Sequence, residues 1–515
     1  MVAAGHGRPS RVGDRVLVIG AGLAGLAAAD RLLEAGLGVT VIDAFPVAGG
    51  RTASFDVPEK VAGLVAGDVV EHGLHAWFQH YHAVHGLMRR AGLAKPAFSG
   101  PGLSFWNPEQ GHVTLSGGPG KWLKSALALP EAMRGDRRQA LGALARLVAG
   151  LTSALGDPVL TDRQSAAQLL AGAGVPVGAI ERVFRPCMYS LTSLPLEELS
   201  ALEMLRWMSR ILPDPRMRCV DGGTTRAMAA PIVESLRARG ADVRFGVEVQ
   251  KLSLDARGRA QLSLAPAPDR TGLRHILVPG FAPGEPPEPG GFDAVICTLP
   301  WERLLALGDT GLWRFAPELK SSLDALDNVH PLSVRLWFER PIAGASDAYL
   351  LSAGTVFDVL RPTPEPARYG DIHLVDLLVE DIERHLPELG YDHERIVEPG
   401  DPTGRVLSRV LEDLERIFPG QIRDNPVQRS FLHTREGIIA CRPRRWSMRP
   451  AADIGSRHFY LAGDYTRQPY GVCMEGAARS GQIAVDALLG RPSAALSPPA
   501  FGQLAYSLRS LFERV

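Results

Sequence analysis

Apolar runs and glycine corners alternate along the chain in an order that predicts parallel βαβ structure towards both ends and a different architecture between them. RVLVIG (15–20) is an apolar run of strand length, GAGLAG (20–25) a tight turn, LAAADRLLEAG (26–36) a helix with small residues on its inner side, and VTVID (39–43) a second strand. Strand, turn, helix and strand in that order make a parallel unit. A further glycine corner, AGGRTASF (48–55), precedes EHGLHAWFQHYHAVHGLMRRAG (71–92), which reads as helical from about His80. Residues 117–215 read as helical and partly amphipathic: in RQALGALARLVAGL (138–151), Leu141, Leu144, Leu147, Val148 and Leu151 recur at helical spacing. From Cys219 the α/β pattern returns, with a CVDGG turn, a helix over 224–240 and strands over 241–254. Residues 263–291 are proline-rich and predict a surface excursion, and GFDAVICTLP (291–300) restores a buried strand.

Residues 331–380 hold β-rich runs separated by turn residues, a helix follows at 405–418, and the α/β pattern resumes at 427. HFYLA (458–462) is then a strand, Gly463-Asp464 a corner, and a helix starts near Met474-Glu475-Gly476-Ala477. The nucleotide-type segments thus fall in three blocks, 12–90, 216–310 and 426–490. Between them lie insertions at 91–215 and 311–425, an α+β substrate domain, and 491–515 forms a helical tail.

Length and composition narrow the partners. A chain of 515 residues calls for two domains, here interleaved. A net charge of +0 argues against nucleic acid, whose phosphates attract a basic surplus. Five scattered cysteines without a CxxC pair give neither zinc spacing nor a disulfide framework. The N-terminus has no apolar signal-peptide core, and no run of about 18 apolar residues predicts a spanning helix, so the expected compartment is the reducing cytoplasm. Basic residues flank the apolar positions of 117–150 (Lys121, Lys124, Arg134, Arg137, Arg138, Arg146), which suits either a core-facing layer or a peripheral contact with the cytoplasmic membrane face.

The first glycine corner carries chemistry. Gly20 permits the turn, Gly22 lets backbone approach a pyrophosphate, and Gly25 lets helix pack on strand. The helix start offers N–H groups and a positive dipole end to phosphate, and Asp43 ends the second strand where a carboxylate receives ribose hydroxyls. Past it, Gly49-Gly50-Arg51 can wrap a bound dinucleotide, with Arg51 offsetting pyrophosphate charge. His72, His75, His80, His82 and His85 cluster, but their spacing fits no usual metal set and no metal site is expected. Glu475, at a helix start, is held as the anion and reads as a structural or cofactor-positioning group.

Val16 to Arg51 resembles the FAD-binding start of the amine oxidase and carotenoid desaturase superfamily, which often has Glu where this chain has Asp43. EHGLHAWFQHYHAV (71–84), FGVEVQKL (245–252) and FYLAGDYTRQPYGVCMEGAARSG (459–481) narrow the resemblance to plant- and cyanobacterial-type phytoene and ζ-carotene desaturases and related bacterial isoprenoid oxidoreductases. The resemblance implies an α/β fold: a Rossmann-type FAD-binding domain of the amine-oxidase-like (GR2) kind, assembled from discontinuous segments. It implies cofactor contacts at Gly20, Gly22, Ala24, Gly25, Asp43, Gly50, Arg51, His75, Val249, Gly463, Asp464, Met474, Gly476 and Ala477, the last two offering N–H groups to the reduced flavin. Tyr465 and Thr466 are expected to face flavin or substrate, and Arg226, after the Asp221-Gly222-Gly223 turn, is a catalytic candidate beside the reading of a surface arginine.

The implied activity is desaturation of an apolar isoprenoid such as a carotene, a hydride passing to flavin N5, with a quinone or oxygen as final acceptor. No lysine stands out at the flavin-facing position of amine-oxidising relatives; Lys251 and Lys320 are candidates by default. FAD-dependent amine oxidation, hydroxysqualene-type dehydroxylation and a non-enzymatic prenyl escort stay open as alternatives, the last disfavoured by the intact glycine and acid set.

Overall fold

The computed structural model describes residues 14–57, 64–71, 75–94, 103–108, 111–114, 142, 146, 157–211, 217–218, 223–267, 284–288, 291–344, 349–352, 354–361, 373–380, 404–434 and 437–493. Five strands form a wholly parallel sheet: β1 (Arg15–Ile19), β2 (Gly38–Asp43), β3 (Asp242–Phe245), β4 (Ala294–Cys297) and β5 (Phe459–Leu461), in the order β5-β4-β1-β2-β3. A parallel strand covered on both faces must be apolar throughout, and β1 obeys: Val16 and Val18 enter one core, Leu17 and Ile19 the other. On the first face lie α1 (Leu23–Glu34), α2 (His82–Arg90), α3 (Ala201–Ile211), α4 (Ala230–Ala238) and α6 (Met474–Leu488). The second face is covered by the hairpin Val247–Leu254/Ala260–Pro266 and short helices between Trp301 and Asp324.

The small residues of α1 are there for α6. A Cβ on Gly481 of α6 would stand 2.1 Å from the Ala24 carbonyl oxygen, so the two backbones meet directly. Arg31 Nη2 bonds Asp486 at 2.9 Å and fixes the register of the pair. The helix expected over 224–240 begins with a π turn at Thr225–Ala229 before α4, because Pro231 offers no N–H to the preceding turn.

A second sheet of seven strands runs Val427–Thr434, Leu332–Phe338, His373–Val379, Val359–Arg361, Tyr349–Ser352, Leu103–Asn107, Gly111–Thr114. Leu332, Val334, Leu336 and Phe338 pack on α5 (Arg405–Ile417) through Val406, Val410, Leu414 and Ile417. The opposite face of the same strand turns Arg335 and Trp337 towards the first domain: Arg335 pairs with Asp376 at 2.6 Å and donates to the Val69 carbonyl. Val427–Thr434 bonds along Leu332–Phe338, so the block expected to begin at 426 gives its first strand to the other sheet. The reason is the pleat: Phe431 belongs to the small core of Trp337 and Leu374, while Leu432 joins the α5 core. The basic segment 117–150, apart from Gly142 and Arg146, lies outside the described residues, as do most of the proline-rich stretch and the tail from 494.

Candidate cofactor and active site

The first corner is built by backbone. Gly20 takes a left-handed φ of +107°, with its N–H bonded to the Ile42 carbonyl at 2.7 Å. Thr298, at the end of β4, seals it from beneath: its hydroxyl donates to the Ile19 carbonyl at 2.8 Å, and a Cβ on Gly20 would lie 2.4 Å from that oxygen. Gly25 cannot carry a side chain either, its Cβ position being 1.9 Å from the Gly20 carbonyl oxygen. Gly22 caps α1 without a side-chain acceptor, leaving the N–H groups of Leu23, Ala24 and Gly25 at the helix start without intrahelical partners. Around Gly22 a Cβ would meet only the backbone of Gly49 and Gly50, at 3.8 Å or more. Gly49 (φ +117°) and Gly50 (φ +56°) need their left-handed turn to come this close, and Gly49 N–H bonds the Ala21 carbonyl at 3.0 Å. A helix N-terminus with open glycine backbone above it fits a phosphate-bearing dinucleotide.

Asp43 accepts from the Ala21 N–H at 2.7 Å and the Phe45 N–H at 2.8 Å, which orients the carboxylate at the end of β2. Arg51 reaches across to Asp464 in a salt bridge, so the two glycine corners, distant in sequence, are adjacent in space. Val249 sits buried on the strand after β3, at a bulge in its ladder, and His75 is buried beside Trp77 in sequence.

At the second corner, Gly463 has φ +142° and its N–H bonds the Ser480 hydroxyl of α6 at 2.8 Å. The two residues after Asp464 depart from expectation. Tyr465 is 1% exposed and packs with Leu17, Ile19, Cys297 and Leu461 in the second-face core. Its ring covers Gly463, where a Cβ would stand 2.5 Å from Cε1. Burial drives its phenol well above the ordinary range, and its hydroxyl bonds no protein group. Thr466 turns its hydroxyl back onto the Gly463 carbonyl at 2.8 Å. Both are therefore corner-building residues, corrected from catalytic candidates: an apolar phenol ring fills the space under the glycine, and the threonine closes the turn.

Helix α6 also allocates its N–H groups differently. Gly476 N–H points to the Cys473 sulfur at 3.5 Å, and Ala477 N–H makes the first intrahelical bond, to the Cys473 carbonyl at 2.9 Å. The groups without an intrahelical partner are those of Met474 and Glu475, two residues earlier than expected. Gly476 is small because a Cβ would lie 2.4 Å from the Gly471 carbonyl oxygen, where the corner loop folds against the helix. Glu475 is fully buried and caps α2, accepting from Ala83 N–H at 2.9 Å and Val84 N–H at 3.1 Å while Arg479 bonds it at 2.8 Å. The structural reading of Glu475 is the one the geometry supports.

The loop after the corner meets an aromatic wall. The His80 ring stacks on Phe78 at 5.2 Å and on Tyr470 at 6.2 Å, and Trp207 closes on Phe78 at 6.1 Å. Tyr470 donates its hydroxyl to the His80 carbonyl at 3.1 Å. Neither His80 ring nitrogen has a protein partner, and burial lowers its pKa well below the ordinary value. Arg226, by contrast, is on the surface: its guanidinium pairs with Asp56 at 2.8 Å, both side chains more than half exposed. It is not brought to the Gly463 corner, because its helix packs against residues 48–56. Lys251 and Lys320 pair with Asp309 and Asp324 at the surface, which removes both default amine-oxidase lysines from the site. Sequence reading missed Thr298 and the wall. Thr298 follows an apolar strand with no motif of its own, but the HAWFQHY aromatic spacing was a visible signal.

Residues 23–489 match the sequence profile of the flavin containing amine oxidoreductase family. The chain is 26% identical over 496 residues to the 15-cis-phytoene desaturase of Arabidopsis thaliana, covering 91% of this chain and 79% of that protein. It is 25% identical over 498 residues to the 15-cis-phytoene desaturase of Synechococcus elongatus (93% and 96% covered). A probable zeta-carotene desaturase of the same organism is 25% identical over 508 residues (92% and 98%). Among solved structures, an oxidoreductase from Methanosarcina mazei superposes with a TM-score of 0.64 at 16% identity, covering 93% of this chain and all of that one. Putrescine oxidase bound to putrescine gives 0.60 at 16% identity (93% and 99%), a likeness of fold.

Proposed function

The chain belongs to the flavin containing amine oxidoreductase family, and on that footing we propose that it dehydrogenates an apolar isoprenoid, a carotene or a close relative. It is an FAD-dependent oxidoreductase. The observation that carries the substrate class is the likeness to phytoene and ζ-carotene desaturases along more than nine-tenths of the chain, joined to an intact pair of glycine corners.

When bound, FAD supplies the electron-accepting chemistry. Gly22 and the α1 N–H groups would hold its phosphates, Asp43 its ribose, and Asp464 with the Met474 and Glu475 N–H groups its flavin end. Arg51 offsets phosphate charge and, through Asp464, locks the two halves of the site together. The His80–Tyr470–Trp207 wall offers an aromatic surface on which His80 stays neutral, with the Arg210 and Arg479 guanidiniums stacked on Tyr470. The proposal includes a quinone as acceptor and work at the cytoplasmic face of a membrane, supported by the insolubility of the substrate class in water.

Anaerobic mixing with 15-cis-phytoene or ζ-carotene in liposomes should bleach the flavin absorbance, and putrescine should leave it unchanged. Bleaching by the amine alone would overturn the substrate class and favour amine oxidation.

A further inference from the structure

Helix α3 presents Glu203, Arg206, Trp207 and Arg210 at spacings of three and four, so they share one face. That face meets the segment 441–449, which carries Arg442, Arg444, Arg445 and Arg449. Arg449 is 1% exposed. Its Nη2 lies 3.3 Å from Glu203 Oε1 and 3.2 Å from the Cys441 sulfur, while Nε and Nη1 are buried with no protein partner. Arg206 shares the same Glu203 oxygen at 3.3 Å and stacks on Trp446 at 4.8 Å. Trp446 Nε1 and Arg210 Nε are likewise buried and unpartnered.

The charges do not cancel. Three guanidiniums, Arg206, Arg210 and Arg449, face two carboxylates, Glu203 and Asp162; Asp464, already paired with Arg51, also acts on Arg449, Arg210 gives its Nη2 to the Pro469 carbonyl, and Glu203 Oε2 is itself buried without a protein partner. Asp162 is already engaged by the Ser200 hydroxyl at 2.5 Å and the Trp446 N–H at 2.9 Å, and burial lifts its pKa to about 6. A buried cation with unmet N–H donors is costly, and water meets the donors without meeting the charge. An oxygen anion meets both.

We propose that the space between α3 and residues 441–449 binds an oxyanion, a carboxylate or phosphate group, on Arg449 Nε and Nη1 and Trp446 Nε1. Glu203 is the resident counter-charge that limits its affinity. Trp446 is half-buried and Arg444 exposed, which leaves the outer side of the cluster towards solvent. The inner side adjoins the cofactor corner, where Arg467 N–H bonds the Pro450 carbonyl at 2.8 Å and its Nη2 the Ser447 carbonyl at 2.9 Å. A plain carotene offers no such group, so the site goes beyond the proposed function and is tested by binding rather than by turnover. The anion is either a free ion or the polar end of an isoprenoid.

Calorimetric titration of the flavin-loaded protein with inorganic phosphate and with farnesyl phosphate separates these sources. Saturable one-to-one binding of phosphate marks a free-anion site; binding of farnesyl phosphate alone marks the polar end of a lipid. In either case Trp446→Phe, a mild change at a half-buried ring, should weaken binding several-fold. Arg449→Lys should weaken it at least tenfold, and Glu203→Gln should tighten it. No saturable heat with either probe, or affinities unchanged across Trp446→Phe and Glu203→Gln, would overturn the site.

Discussion

Arg51 and Asp464, 413 positions apart in the chain, form a salt bridge across the mouth of the cofactor cradle. Asp464 is nearly buried and Arg51 about one-third exposed, so the pair is shielded on one side and reachable on the other. Its position makes one site of two glycine corners, one after the central strand β1 and one after the edge strand β5.

Removing either charge should therefore separate the halves. Asp464→Asn and Arg51→Gln are each expected to yield protein with at least tenfold weaker FAD retention, measured as the ratio of flavin to protein absorbance after gel filtration. The double variant should recover thermal stability through loss of the unpaired charge, yet stay poor in FAD.

Steric closeness gives a sharper expectation. Gly25→Ala places a methyl group 1.9 Å from the Gly20 carbonyl and should abolish soluble flavoprotein. Gly86→Ala on α2 meets only the end of Arg90 at 3.5 Å and should leave both stability and flavin content intact. Equal behaviour of the two variants would contradict the close packing of strand, turn and helix.

Glu475→Gln keeps the shape of a fully buried carboxylate but removes the charge that Arg479 pairs with on α6 and weakens the α2 cap. Breaking a buried pair in this way costs on the order of 3–5 kcal/mol. A marked fall in melting temperature is expected. Flavin affinity of the fraction that remains folded should hardly change, because this carboxylate faces α2 rather than the glycine corners.

Acid should act on the aromatic wall. The folded pKa of His80 lies well below its ordinary 6.5, chiefly through burial, so the folded state excludes a proton that the unfolded chain takes up. The stabilisation is whole above 6.5 and is lost as pH falls from there through the folded pKa. In His80→Phe that part of the pH slope, read from denaturant midpoints, should flatten.

Tyr465→Phe removes a hydroxyl without a protein partner from an apolar core and should change stability by no more than about 1 kcal/mol. Flavin reduction by substrate should continue in this variant; its loss would restore Tyr465 to the catalytic set.

The parts of the site that are backbone were legible in the chain. Gly20, Gly25, Gly49 and Gly50 are glycine because a side chain would clash or strain a left-handed turn, while Gly22 keeps the backbone above the helix start open, and such requirements are visible as a motif. Asp43 and Asp464 were marked by their places at strand ends, whereas the pairing of Asp464 with Arg51 was not. What failed was orientation. Tyr465 and Thr466 sit beside a ligand corner in sequence, yet a tight turn sends successive side chains in opposite directions, and both went inward. The Gly476 and Ala477 N–H groups were off by the length of a helix cap, because Cys473 is the cap and its sulfur takes one of them. Arg226 and the strand at 427 were decided by partners, Asp56 and Leu332–Phe338, that local pattern does not name.

The order of the parallel sheet also governs when the protein can be finished. Strand β5 lies at one edge beside β4, and the helix after it packs across α1, so the N-terminal corner waits for the far end of the chain. During synthesis at the ribosome, residues 15–43 emerge first and must remain without that cover until residue 488 has been made. Contacts of such sequence separation form slowly, and exposed strand edges invite chaperones in the interval. A cradle built from both ends of the chain is consequently complete only once α6 has been made.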